Sequence, residues 1–310
     1  MLSIFFSILP VFLVIGAGMA AKRLGWLPPV FVKYAARVAL NLAIPALLFR
    51  TVYKVPASLA FPWTCLLSVL AAMACVWGLA ALYTRVGLPA SKSSPFRATF
   101  TQGTIHCNVG FLGLATVYYS QGDAGLAIAS LLTPAIFTFQ TMLAALTLAH
   151  GSQKDTKLSA IFGRMLINPI IVAPLAGLAA NGVGLNIPDF LDRTLELMAG
   201  LGLPLALLII GATLDLKAVA GNFRELAVLC LAKLAFLPLL ALPMLMLLHL
   251  EPLTVTVAIL LLSQPVAAIA VIMAGDLGGD IEFAAGSVSL TTALSPFTLT
   301  AWLMIATLLA

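Results

Sequence analysis

The stretch Thr101-Gln102-Gly103-Thr104-Ile105-His106-Cys107-Asn108-Val109-Gly110-Phe111-Leu112-Gly113 decides how this chain is read, because it sets a polar cluster and three glycines inside an otherwise apolar run. Outward from it the chain stays apolar in both directions. Of its 310 residues, 62% are hydrophobic and only 9% are charged. A soluble domain carries about 25% charged residues, so this surface cannot be one that faces water. At roughly 20 apolar residues per membrane-crossing helix, the chain divides into about ten spans joined by short loops. That excludes a soluble enzyme, a nucleic-acid reader and a disordered scaffold. The net charge of +5 sits in the loops and does not signal nucleic acid. Outer-membrane strands alternate polar and apolar over ~10 residues, whereas the apolar runs here are unbroken. The fold class is an all-α membrane protein.

Ten spans are expected at about 3–21, 34–51, 61–84, 96–119, 124–149, 158–181, 190–214, 222–248, 252–274 and 281–308. Lys22 and Arg23 follow the first apolar run rather than precede it, so the run reads as a retained span and not a signal peptide. Trp and Tyr fall mostly near span ends, as at interfacial belts. Cys65, Cys75, Cys107 and Cys230 lie inside apolar runs without a C-x-x-C pair and read as packing thiols. With the N-terminus on side A, side B collects Lys22, Arg23, Lys33, Arg37, Arg85, Lys92, Arg97, Lys154, Lys157, Arg164, Lys217 and Arg224. Side A keeps Arg50, Lys54 and Arg193. That imbalance makes side B cytoplasmic and puts both termini outside.

A repeat runs through the chain as three proline matches in order. Pro10 precedes Pro169 by 159 residues, Pro45 precedes Pro204 by the same distance, and Pro134 precedes Pro296 by 162. Residues 1–150 then form one five-helix repeat and 151–310 a second. Five is odd, so the second half enters the membrane inverted, a pattern typical of secondary transporters. Pro10, Pro45, Pro169 and Pro204 are expected to mark breaks or kinks; scattered, unrelated kinks are the alternative reading.

Such transporters often hold substrate where equivalent helices of the two halves are interrupted at mid-membrane. Span 4 carries the polar cluster quoted above, and span 9 carries Ser263-Gln264-Pro265. An interrupted helix exposes free N–H groups with partial positive charge, which suits an anion such as a carboxylate. The candidate substrate-binding residues are therefore Asn108, Val109, Gly110, Gln264, Pro265 and Ile269. Hydrogen bonding of Asn108 and Gln264 to neighbouring helices is the competing reading. Lys233 lies nine residues past Arg224, near mid-membrane. It can neutralise an anionic substrate, tether a carbonyl at a helix break, or simply snorkel. His106 can titrate near neutral pH and carry a proton; a hydrogen-bonded histidine reads equally well. No acid is expected at mid-membrane, which disfavours cation exchange. No P-loop, zinc helix motif or buried Ser/His/Asp set is present, so ATP-driven transport and intramembrane proteolysis lack support. No catalytic residue, cofactor or metal is expected.

The chain resembles the auxin efflux carrier family, in its short bacterial form, across nearly its whole length. The resemblance is carried by Asn41-Leu42-Ala43-Ile44-Pro45-Ala46-Leu47-Leu48-Phe49, Asn108-Val109-Gly110-Phe111-Leu112-Gly113, Asn168-Pro169 and Gly211-Ala212-Thr213-Leu214, then by Lys233 with Pro238, and Gln264-Pro265. It implies ten helices as a five-plus-five inverted repeat with helices 4 and 9 interrupted, similar to bile-acid symporters and sodium/proton antiporters. It also implies a scaffold of spans 1, 2, 6 and 7, dimeric in many members, beside a transport domain of spans 3–5 and 8–10. Asn108 matches the family's crossover Asn, which contacts the substrate carboxylate, and Lys233 matches a frequently basic position. Two departures stand out. Cys107 replaces the glycine that precedes the Asn in plant members, and Ala270 or a neighbour replaces a second proline in span 9, leaving that break to rest on Pro265.

The expectation is a carrier of a small organic acid, malonate among the candidates, in the inner membrane by elevator-like alternating access. Its partners would be the acid, a proton or sodium ion, the bilayer, and a second copy of the chain meeting it through scaffold helices. A sodium-coupled organic-acid symporter and a membrane ligand sensor that moves nothing are the alternatives.

Overall fold

Backbone N–H and C=O groups in a bilayer must find partners within the protein, and the helix supplies them locally. The computed structural model describes residues 2–56, 61–152, 163 and 167–309, and among them it is helical with no strand longer than one isolated bridge. In chain order the helices are α1 (Leu2–Arg23), α2 (Pro29–Tyr53), α3 (Trp63–Val86), α4 (Ser94–Ile105), α5 (Leu114–Ser152) and α6 (Pro169–Gly182). They continue with α7 (Asp189–Thr213), α8 (Leu216–Met246), α9 (Pro252–Leu262), α10 (Ile269–Leu277) and α11 (Ile281–Leu309). Among the described residues, seven helical segments are long and apolar enough to cross a membrane, while α6 and α9 are apolar but shorter. The start expected for span 6, together with Lys154, Lys157 and Arg164, lies outside the described residues.

Local chemistry explains several boundaries. Ser93 caps α4, its hydroxyl accepting from Phe96 N–H, and Asn168 caps α6 by accepting from Ile170 N–H at 2.9 Å. Pro169 thus opens a helix at its first turn, where its missing N–H costs nothing. Pro45 follows a π-helical turn, Ala39–Ala43, inside α2, and Pro238 follows another, Leu231–Phe236, inside α8. A wider turn ahead of a proline accommodates the carbonyl that its ring would otherwise strike. Pro10 and Pro204 interrupt neither α1 nor α7, both of which run through them. Gly122 leaves helical geometry at φ 65°, which glycine tolerates, and divides α5 into arms at 114–121 and 123–152.

The chain forms two compact units. The first gathers Met1–Trp63, Gly110–Ala135 and Gly163–Thr213, and the second Thr64–Val109, Ile136–Phe162 and Leu214–Ala310. The unit bounds at Val109/Gly110 and Ala135/Ile136 fall within the stretches read as spans 4 and 5. In the first unit α1 lies on α7 with glycines at the contact: Gly18 meets the Leu208 backbone, and Gly211 meets the backbone of Ile15. Small residues let helices approach closely where no hydrophobic force drives them together. At one end of that unit Arg50 grips Asp192 through Nε at 2.8 Å and also reaches Glu196 at 3.2 Å, while Lys54 reaches Asp192 at 2.6 Å. The second unit has an aromatic core of Phe96, Phe100 and Phe283, packed with Leu226, Leu229, Val266 and Ala270.

Candidate functional site

Both expected interruptions are present, and they meet within the second unit. Helix α4 ends at Ile105, and His106 turns away with its N–H still held by the Gln102 carbonyl at 3.1 Å. Cys107 is extended and pairs antiparallel with Val266. Helix then resumes as a π turn over Val109–Gly113. On the other side α9 stops at Leu262 and α10 begins at Ile269. Asn108 N–H donates to the Pro265 carbonyl at 2.9 Å, and Ala267 N–H donates to the His106 carbonyl at 3.0 Å. Each unwound segment thus supplies partners for groups the other lost by leaving the helix, which is what buried non-helical backbone requires.

Side chains complete the accounting. Gln140, 1% exposed, accepts from Cys107 N–H at 3.0 Å and donates to the Cys107 carbonyl at 2.9 Å. The Thr291 hydroxyl accepts from Val266 N–H at 3.0 Å and itself donates to the Ser287 carbonyl. Lys233, fully buried in the π turn of α8, donates through Nζ to the Leu262 carbonyl and to Cys107 Sγ, both at 2.9 Å. Its charge therefore sits at the C-terminal end of α9, where unpaired carbonyls concentrate negative potential. Among the described residues no Asp or Glu is buried, and Lys233 is the one buried Lys or Arg.

Of the residues expected to bind substrate, Asn108, Val109, Gln264 and Pro265 are brought together at the crossing with Lys233 and His106. Asn108 is 6% exposed and its side chain makes no hydrogen bond among the described residues, so its amide is uncommitted. Ile269 is the first residue of α10, and its N–H and that of Ala268 have no hydrogen-bond partner among the described residues. Gly110 follows directly in the π turn. Gln264 turns its Nε2 onto the Leu260 carbonyl of its own helix at 2.8 Å. His106 is fully buried, and neither ring nitrogen has a partner among the described residues.

A membrane-crossing chain whose interrupted helices pair at a buried crossing is built like a transporter. A family model described as "Membrane transport protein" matches residues 3–303. The chain belongs to the membrane transport protein family. This is the auxin efflux carrier family that the motifs resemble, and its members are transporters rather than enzymes. A protein of Rhizobium meliloti named "Putative malonate transporter" is 27% identical over 307 residues, covering 94% of this chain and 92% of the relative. A protein of Methanothermobacter thermautotrophicus named "Uncharacterized transporter" is 26% identical over 304 residues, covering 96% of each. The chain is accordingly a multi-pass membrane transport protein.

Within this transporter, three residues at the crossing escape the sequence reading: Gln140, Thr291 and Cys107 as a partner of Lys233. Gln140 and Thr291 bond to backbone groups of other helices, and no spacing in the chain signals such a contact. Trp302 is a further case. It is buried on α11, and its Nε1 donates at 2.7 Å to the Leu234 carbonyl, in the π turn that carries Lys233.

Proposed function

We propose that this transporter carries a small organic acid as its carboxylate, bound at the crossing of the two interrupted helices. One observation carries the reading: an uncommitted Asn108 amide beside the Cys107–Val266 pair, in a region whose one buried Lys or Arg among the described residues is Lys233 and which buries no acid. Asn108, the backbone of Val109–Gly110 and the start of α10 at Ile269 hold the carboxylate, and Lys233 contributes positive potential without touching it. Malonate, already among the candidates, gains support from the name of one relative.

The chain is a five-plus-five inverted repeat of ten spans. Supporting this, Cys107 and Val266 stand 159 residues apart, the spacing that separates Pro10 from Pro169 and Pro45 from Pro204. At the same spacing Asn108 corresponds to Ala267 and His106 to Pro265, so the two backbone bonds across the crossing are counterparts of each other. Spans 1, 2, 6 and 7 serve as scaffold and homodimer contact, and spans 3–5 and 8–10 form the transport domain of an elevator-like cycle. The protein lies in the inner membrane with both termini outside, supported by the excess of Lys and Arg in the side B loops. An inside-negative potential drives anion exit at about 2.3 kcal/mol per charge per 100 mV. Uptake requires a co-transported proton or sodium ion, and His106 is the candidate proton carrier.

The test is current recording on proteoliposomes mounted on a solid support, with jumps of malonate, succinate, lactate, indole-3-acetate and sodium. A current evoked by one of the acids is expected, and its sign and pH dependence report the coupling. Silence to every acid with a response to sodium alone would reverse the reading towards a cation carrier.

A further inference from the structure

The crossing is held from outside by a side chain that the carboxylate site does not use. We infer that Gln140 is a positioning residue: its amide fixes the backbone of Cys107, and through it sets where the Asn108 amide points. The inference rests on the carboxylate reading given above.

The two Gln140 bonds fall on different peptide units. Cys107 N–H, which donates to Oε1 at 3.0 Å, belongs to the peptide before the Cys107 α-carbon. The Cys107 carbonyl, which accepts from Nε2 at 2.9 Å, belongs to the peptide after it. One planar amide therefore bridges both peptide units of Cys107, the residue just before Asn108, and reinforces the local bonds of Cys107 N–H to the Ile105 carbonyl at 2.9 Å and of Val109 N–H to the Cys107 carbonyl at 2.8 Å. Cys107 Sγ faces Lys233 and the Leu262 carbonyl, and Asn108 follows as the middle residue of a tight turn closed by Val109 N–H on the Cys107 carbonyl at 2.8 Å. The Asn108 N–H is already committed to Pro265. With Cys107 fixed on one side and this bond on the other, the Asn108 side chain has little backbone freedom left. A pre-set donor spends less ordering entropy on binding, so the clamp acts chiefly on apparent affinity. Gln140 comes from the second arm of α5, a separate element of the same unit, which makes the clamp a tertiary contact.

A double-mutant cycle tests this on full-length protein in proteoliposomes. The probe is whichever of malonate, succinate, lactate and indole-3-acetate gives the largest current. Gln140→Met keeps volume and removes both bonds. It is expected to raise the half-saturation concentration about tenfold with the maximal current little changed, and to add nothing in an Asn108→Ala background. Gln140→Asn keeps an amide on a shorter arm and should fall between Met and wild type; it stands in if the Met variant does not fold. Wild-type half-saturation in these variants, or a full additional loss in the double variant, would overturn the inference. So would a fall in maximal current and melting temperature with half-saturation unchanged, the mark of a merely structural glutamine. If Asn108→Ala itself saturates like wild type, the carboxylate site lies elsewhere, and the site reading is what has failed.

Discussion

The two interrupted helices have matching backbones and unlike side chains. Across the crossing, Asn108 N–H to Pro265 and Ala267 N–H to His106 are counterparts at the 159-residue spacing. Each extended residue is also held by a polar side chain from a following helix, Cys107 by Gln140 on α5 and Val266 by Thr291 on α11. The chemistry is one-sided. In the repeat proposed above, the counterpart of Asn108 is Ala267, and the positions in span 3 that correspond to Lys233, residues 71–74, read Ala-Ala-Met-Ala. Backbone groups in a bilayer must be paired whatever the function, so both halves keep the pairing. The side chains proposed for the carboxylate site are under no such rule, and neither Asn108 nor Lys233 has a like residue at its counterpart position.

The largest effect is expected where one side chain serves both segments. Lys233→Met removes the bonds to the Leu262 carbonyl and to Cys107 Sγ together with the fixed charge. Hydrogen bonds to charged groups are worth about 1.5–3 kcal/mol each, so transport current per mole of protein should fall roughly a hundredfold or more. Wild-type currents would mean the crossing holds without its tether, and the asymmetry in charge would carry no function.

Asn108→Ala makes the first segment resemble the second. Losing one charge-assisted bond to a carboxylate costs about 1.5–3 kcal/mol, or about ten- to a hundredfold in affinity. The half-saturation concentration for the transported acid should rise by that factor while the protein still folds, because the Asn108 side chain holds no other group among the described residues. An unchanged half-saturation would remove the amide from the site.

The sequence reading reached the coarse frame because bilayer physics writes itself into composition. Long apolar runs, loop cations and mid-span polar clusters follow from solvation alone, and α1, α3, α7, α8 and α11 lie close to the expected spans. The break in span 9 was legible from Ser263-Gln264-Pro265 even without a second proline, since Pro265 has no N–H to continue a helix. The burial of Lys233 was legible from its distance past Arg224, well inside an apolar run. Its two partners were not, since one is a backbone carbonyl and the other a cysteine that reads as a packing thiol. Gln140 was hidden for a related reason: Thr138 and Thr141 beside it give span 5 a mildly polar patch, and only the fold shows which residue reaches the strand. The π turns before Pro45 and Pro238 also lay beyond reach, because a proline can be relieved by a wide turn, a kink or a fresh helix start.

The smallest effect expected is also the most discriminating. Ala267→Asn gives the second segment the amide that the first already has. Position 267 lies on the same pairing as Asn108, with its N–H on the His106 carbonyl at 3.0 Å, and the N–H groups of Ala268 and Ile269 stand just beyond it. A second neutral amide donor near the carboxylate is worth about 1 kcal/mol net, roughly fivefold in affinity. Ala267 is only 6% exposed, so part of that gain is offset by crowding. A two- to threefold lower half-saturation, about half a kcal/mol, is therefore expected, with the increment lost when Cys107 is freed by Gln140→Met. If Ala267→Asn instead restores affinity to Asn108→Ala, the two segments are interchangeable and the one-sidedness is incidental. If it does nothing in either background, the carboxylate is read only from the Asn108 side, and the second segment contributes backbone alone.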